Sequence, residues 1–251
     1  MTDYSALLAR HQYAIVDCAH LFPEPWTESA PMKPLVPDEL RSDAQKMPAL
    51  LSLDPKRHWF PGLVDDLRRN EENAFPQFVA NLLAVPGDVN SKSLARHLTS
   101  RLIVHFPKGK AYLKFFEIDT FVHLKRILNP AELQALYGSI TEWTVYFQER
   151  WYSESAPGIS KEAVPASWRV TSDQFAALDR IRLVNKVLRY WRDKLDRPWT
   201  SLEEFRAYAD HADAILVRER QAQPGARDEP IVEATCRQFP QNFSFQSKES
   251  R

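Results

Sequence analysis

SLARHLTSRLIVHFPKGKAYLKFFEIDTFVHLKRILNPAELQALYGSITEWTVYF, residues 93–147, is the stretch whose reading decides the fold. It begins with a short helical run at 93–98. Two β-rich runs follow, 102–106 and 112–117, the first ending at Pro107 and the second entered through a loop bearing Gly109; this order reads as a hairpin. Residues 121–128 read as a helix. Asn129-Pro130-Ala131-Glu132 starts another, with Asn as N-cap, Pro at the first helical position and Glu placed to complete a capping box. Gly138 ends that helix. Over 140–147 the residues alternate, with Trp143, Val145 and Phe147 on one side and Glu142, Thr144 and Tyr146 on the other, the pattern of a half-buried strand.

Outward from this stretch, residues 4–11 read as a short helix leading into a strand at 13–18. Residues 22–37 carry Pro23, Pro25, Pro31, Pro34 and Pro37, so an irregular crossing is expected there. A turn of helix at 38–46 precedes a strand at 49–53. Residues 59–73 read as a helix with Leu63, Val64 and Leu67 inward and Asp65, Asp66, Arg68 and Arg69 outward. The nearly continuous apolar run 77–85 reads as a central strand buried on both faces. The proline- and glycine-bearing segment 153–167 reads as a linker. Beyond it Thr171 and Gln174 form a capping box, and Ala177, Ile181, Val184, Leu188, Trp191 and Leu195 recur at helical spacing. Ser201 and Glu204 open a second helix by the same device. The fold class that emerges is α+β. A lobe over 1–152 holds a mixed β-sheet flanked by helices; after the linker come a smaller helical lobe at 168–220 and an extended or mobile tail at 221–251.

Composition removes several function classes. Lys plus Arg equals Asp plus Glu at 33 each, so no basic footprint of a nucleic-acid binder shows across the whole chain. Gly62, Gly87, Gly109, Gly138, Gly158 and Gly225 are isolated, whereas a phosphate-cradling loop needs several glycines together. No apolar run approaches the roughly 18 residues that span a bilayer, and the opening Met1-Thr2-Asp3-Tyr4 lacks the layout of a signal peptide. A cytoplasmic location without membrane contact is therefore expected, with Cys18 and Cys236 as reduced thiols.

Catalytic sets are hard to assemble. His97, His105 and His123 flank the hairpin with Glu117 and Asp119 nearby, but none has metal-ligand spacing such as His-Glu-x-x-His, and no metal or other cofactor is expected. His123-Leu124-Lys125 lacks a carboxylate to orient the imidazole, because Pro130 stands where one would be needed. No serine sits in a Gly-x-Ser-x-Gly elbow. The alternative that stays open is a hydrolase using His97 or His105 with Glu117. Lys114 and Glu117 are expected as an ion pair buried between elements, fixing a strand end or touching a partner. In the helical lobe Tyr190, Trp191, Trp199, Phe205 and Tyr208 cluster with Arg189, Arg192 and Arg197, residue types enriched at the energetic centres of protein interfaces. The competing reading is that Trp191 and Phe205 simply fill the core between two helices.

The ordered set Ser93-Leu94, His97-Leu98, Gly109, Lys114-Phe115-Phe116-Glu117, Pro130, Leu133, Leu136, Gly138, Ile140 and Trp143 resembles the effector-adaptor, or effector-chaperone, family of type VI secretion, which is found beside the spike protein VgrG. Upstream, residues 13–17 and 48–51 resemble that family's first two strands. Downstream, residues 168–174 with Leu178-Asp179 resemble the start of its helical part, so the likeness covers roughly 10–195. Lys114, Glu117 and Ile118 depart from the family's Arg, Asp and Pro. The resemblance implies a non-enzymatic adaptor that binds a toxic effector protein in the cytoplasm and mounts it on VgrG. His97, Lys114, Phe115, Glu117, Pro130, Gly138 and Trp143 would then be motif residues of the fold, and Arg189, Tyr190, Arg192, Arg197 and Trp199 are the residues assigned to partner contact.

Overall fold

A computed structural model describes residues 2–75, 77–157, 168–195 and 197–240. The chain divides into two compact units, one of Met1–Ile118 with Asn129–Val170, the other of Asp119–Leu128 with Thr171–Arg251. The division is discontinuous, unlike the single boundary expected from sequence: one helix from the middle of the chain belongs with the C-terminal helices. Within the expected linker, residues 153–155 belong to a strand and 158–167 lie outside the described residues.

The first unit is built on a six-stranded sheet of order β2-β3-β1-β4-β7-β8, comprising β1 (Tyr13–Val16), β2 (Met32–Pro34), β3 (Ala49–Ser52), β4 (Val79–Ala84), β7 (Glu142–Phe147) and β8 (Arg150–Ser155). Every neighbouring pair is antiparallel, so the α+β class stands but the sheet is not mixed. The reason is connectivity. β3 and β4 run parallel to each other, but β1 lies between them and pairs antiparallel with both. Helix α3 (Phe60–Glu72) makes the crossover from β3 to β4.

Both faces of this sheet are covered, which explains why all four residues of β1 are buried. On one face Ala14, Val16, Leu51, Val79 and Leu82 meet Tyr4 and Leu8 of α1 (Tyr4–Ala9), Trp26 of α2 (Pro25–Ser29), and Leu63, Val64 and Leu67 of α3. The proline-dense segment is thus less irregular than its composition suggests. Pro25 occupies the first turn of α2, where a missing N–H costs nothing, and Pro34 ends the edge strand β2. A 3-10 segment, Asp38–Lys46, follows. Asp66, expected outward on α3, is buried and accepts a 2.6 Å hydrogen bond from the Trp26 indole N–H. Thr144 also turns inward, because α1 and its flanking His11 cover that side of β7.

The opposite face, that of Asn81 and Trp143, receives Phe115 and Phe116: the Phe115 ring meets Trp143 and the Phe116 carbonyl accepts from the Asn81 amide at 3.1 Å. Helix α4 (Ser91–Arg101), capped by Asn90, leads into the hairpin of β5 (Ile103–Phe106) and β6 (Gly109–Tyr112). The second strand starts and ends earlier than the sequence suggested. A two-residue turn at Pro107-Lys108 brings Gly109 opposite Phe106, so pairing is complete by Tyr112. After a last backbone bond from Leu113 N–H to the Leu102 carbonyl at 2.8 Å, residues 114–117 leave the ladder, which frees Phe115 and Phe116 to enter the core. Helix α6 (Pro130–Tyr137) has the anticipated capping box: Glu132 N–H donates to Asn129 Oδ1 and Asn129 N–H to the Glu132 carboxylate, both at 2.9 Å.

The second unit contains α5 (Ile118–Ile127), α7 (Ser172–Leu195), α8 (Leu202–Ala222) and α9 (Asp228–Cys236). The capping box of α7 is present in both directions between Thr171 and Gln174. The apolar stripe of α7 faces α8, burying Val184, Leu188 and Trp191 against Phe205, Tyr208 and Ala212. Of residues 221–251, expected as an extended or mobile tail, 241–251 lie outside the described residues and 221–240 include α9, which packs on both long helices with Ile231 buried.

Candidate functional site

Of the residues that carry the resemblance, His97, Phe115, Gly138 and Trp143 come together in one place in the first unit. His97, one turn before the end of α4, directs Nε2 to the Leu136 carbonyl at 2.9 Å. Its ring lies against the Cα of Gly138, which takes φ 57° and ψ −113°, a conformation that side chains rarely allow. Beside it Tyr137 meets Trp143 edge-on with ring centroids 5.5 Å apart, and Trp143 meets Phe115 at 5.8 Å. Trp143 and Phe115 are wholly buried. Aromatic burial of this kind contributes roughly 2–3 kcal/mol per ring. Burial pushes the His97 imidazole below its usual pKa, with the Arg101 cation acting in the same direction against the Leu136 hydrogen bond. Pro130 sits at the start of α6. Lys114 and Glu117 do pair, at 2.5 Å, but in a surface turn with half and about a third of each side chain exposed. The expected burial fails because residues 113–117 are not strand.

In the helical unit the expected partner-binding residues separate into two kinds. Trp199 is only 3% exposed, its ring tilted against Tyr208 at 4.5 Å and edge-on to Phe205 at 6.3 Å. It is a core residue, as are Trp191 and Phe205. Arg197 forms a 2.6 Å ion pair with Glu204. Glu204 fills its place in the capping motif differently from expectation. Its N–H bonds Ser201 Oγ, but its carboxylate turns to Thr200 N–H and Oγ1 and to Arg197. Desolvation raises the Glu204 pKa, yet the hydrogen bonds from Arg197 and Thr200 outweigh it and hold the carboxyl below its ordinary value. Arg189, Tyr190 and Arg192 are exposed on α7, with Tyr190 43% accessible and Lys194 Nζ 5.5 Å above its ring.

Two histidines, His123 and His11, are buried centres of hydrogen bonding, a role that their sequence context does not mark. His123 of α5 donates from Nε2 to Asn185 Oδ1 at 2.7 Å and accepts from Arg126 Nε at 2.9 Å. Desolvation, reinforced by Arg126, pushes its pKa down to about 3. Arg126 and Arg180 both bind Asp213, which ties α5, α7 and α8 together. In the first unit His11 bonds the Leu7 carbonyl through Nδ1 and Thr144 Oγ1 through Nε2, at 2.8 and 2.9 Å. Burial lowers its pKa as well. A polar residue between apolar runs was the only sequence signal, and it does not name the partner.

The hydrolase residues have different neighbours. His97 is engaged by Leu136 and Gly138, Glu117 by Lys114, and His105 lines a groove with Glu39 and Trp168. Among the described residues no three His, Cys, Asp or Glu side chains are grouped to hold a metal ion, and no helix is long and apolar enough to cross a membrane. Comparison with protein-family models, with curated proteins and with solved structures found no match for the chain.

Proposed function

We propose that this protein is a non-enzymatic adaptor whose work is to hold another polypeptide. Following the sequence resemblance, its client is a type VI secretion effector, bound in the cytoplasm and delivered to the VgrG spike. One observation carries the reading. His97, Phe115, Gly138 and Trp143, four of the residues that carry the resemblance, meet through Tyr137 in a single packing cluster. Motif residues that define a fold are expected to pack on one another, and this cluster supports the reading on that ground. The exposed Arg189, Tyr190 and Arg192 supply a cationic and aromatic face of the kind that anchors protein partners.

The test is co-purification of the tagged full chain with the products of its neighbouring genes, among which this reading expects a toxin and a spike protein. The expected result is stoichiometric recovery of the toxin and higher toxin yield than in its absence. A variant carrying Arg189→Glu and Tyr190→Ala should fold normally and recover at least about tenfold less, the size of a hot-spot loss. Failure to retain any neighbouring gene product would overturn the adaptor reading, and undiminished recovery by the variant would remove α7 as the contact.

A further inference from the structure

β2 and β8 are the edge strands of the six-stranded sheet, and they are built differently. β2 has three residues and ends in Pro34, features that blunt an edge against further pairing. β8 has six, with no proline, glycine or lysine, and its register with β7 runs without a bulge. The phase of that register fixes which main-chain groups are open. The two-residue turn at Gln148-Glu149 closes on the Phe147–Arg150 pair, and Ala156 N–H still donates to the Thr141 carbonyl at 2.8 Å. Arg150, Tyr152 and Glu154 therefore turn their N–H and C=O groups to β7. Trp151, Ser153 and Ser155 turn theirs outward, where no described residue bonds them. A row of donors and acceptors at strand spacing is matched by another extended chain.

The side chains select which chain. Arg150-Trp151-Tyr152-Ser153-Glu154 is complementary to its own reverse. Set antiparallel against a second copy about an axis at Tyr152, Arg150 faces the partner's Glu154, Trp151 faces the partner's Ser153, and the two Tyr152 rings face each other. Opposite charges, a bulky ring over a small side chain and an aromatic pair are each favourable across strands. Trp151 and Ser153 then form the hydrogen-bonded pairs, as their outward main chain requires. Sliding the axis to Ser153 keeps the phase but sets Arg150 against Ala156 and loses the charge pairing. Arg150 is exposed and Glu154 only 8% exposed, so the facing guanidinium would act on a carboxylate little screened by water.

We propose that β8 pairs with β8 of a second copy of this chain, antiparallel about a two-fold axis at Tyr152, so that the sheet continues from one copy into the next. The proposal stands apart from the adaptor reading and does not depend on what the protein holds. Sedimentation velocity of the full chain should show a concentration-dependent equilibrium of monomer and dimer below about 100 μM. Arg150→Glu, an exposed change that leaves the fold intact, sets like charges against each other twice and should weaken the dimer at least about tenfold. Oxidation with diamide should cross-link the Tyr152→Cys variant into a covalent dimer. The parent, which has Cys18 and Cys236, should stay uncross-linked, and so should Ser153→Cys, which lies one residue along on the other face. A parent chain that is monomeric throughout this range overturns the proposal and leaves the edge to an extended segment of another protein. A dimer that Arg150→Glu does not weaken also overturns it, as does cross-linking through Ser153→Cys and not through Tyr152→Cys.

Discussion

The imidazole of His97 occupies the space that a side chain at position 138 would need: a Cβ on Gly138 would lie 2.5 Å from His97 Cε1 and 2.7 Å from Nε2. Helices α4 and α6 are held at this point by the absence of one methyl group and by the His97–Leu136 hydrogen bond.

Gly138→Ala should therefore cost about 2–4 kcal/mol, the sum of a strained positive φ and a steric clash in a packed site. The double variant with His97→Ala should recover part of that loss, leaving chiefly the backbone strain of about 1 kcal/mol and the cost of the missing imidazole. Denaturant unfolding of the four species measures the coupling. Strict additivity would contradict the contact.

Acid should destabilise the fold through His123. Its folded pKa of about 3 lies below the ordinary 6.5, so the unfolded chain takes up a proton first. Stability is then complete above pH 6.5 and is lost as pH falls toward 3, at up to about 1.4 kcal/mol per pH unit. His11 and His97, also depressed by burial, act in the same direction. His123→Gln should be less stable at pH 7 yet lose roughly 2 kcal/mol less than the parent between pH 7 and pH 5. Parallel pH profiles for the two proteins would refute the assignment.

Trp199 and Arg189 should respond in opposite ways. Trp199→Ala empties a core position and should cost about 3–5 kcal/mol. Arg189→Ala, on the exposed face of α7, should change stability by less than about 0.5 kcal/mol. Thermal unfolding of both variants separates packing from surface.

The β7–β8 turn offers a stabilising change. Gln148 and Glu149 both have positive φ, 48° and 63°, and β pairing closes at Phe147 and Arg150. This is the geometry that Asn-Gly satisfies with least strain. Replacing Gln148-Glu149 by Asn-Gly should add about 1 kcal/mol, or roughly 2–4 °C in Tm. An unchanged or lowered Tm would show that the turn carries no strain to relieve.

Lys114 and Glu117 illustrate a misplacement that sequence invites. KFFE in a β-rich context reads as strand, with its charges at a buried end. The tight Pro107-Lys108 turn starts the second strand three residues earlier, at Gly109, and the aromatic pair is then placed inside the core and not on a ladder. Asp66 shows the same limit. Helical periodicity assigns it to the solvated face, and only the arrival of Trp26 from the proline-rich segment gives its carboxylate a buried donor.

The sequence by itself determined the elements whose causes are local. The Asn129–Glu132 and Thr171–Gln174 caps, the Gly138 stop, the apolar stripe of α7 and the α+β class follow from spacing and residue chemistry within a few turns of chain. Tertiary structure alone decided the antiparallel sheet order, the joining of α5 to the C-terminal helices, the burial of Trp199 and the assembly of the groove around Trp168. Those outcomes depend on contacts between segments tens to more than a hundred residues apart. Their energies arise only when distant surfaces exclude water together, and no local pattern records which surfaces will meet.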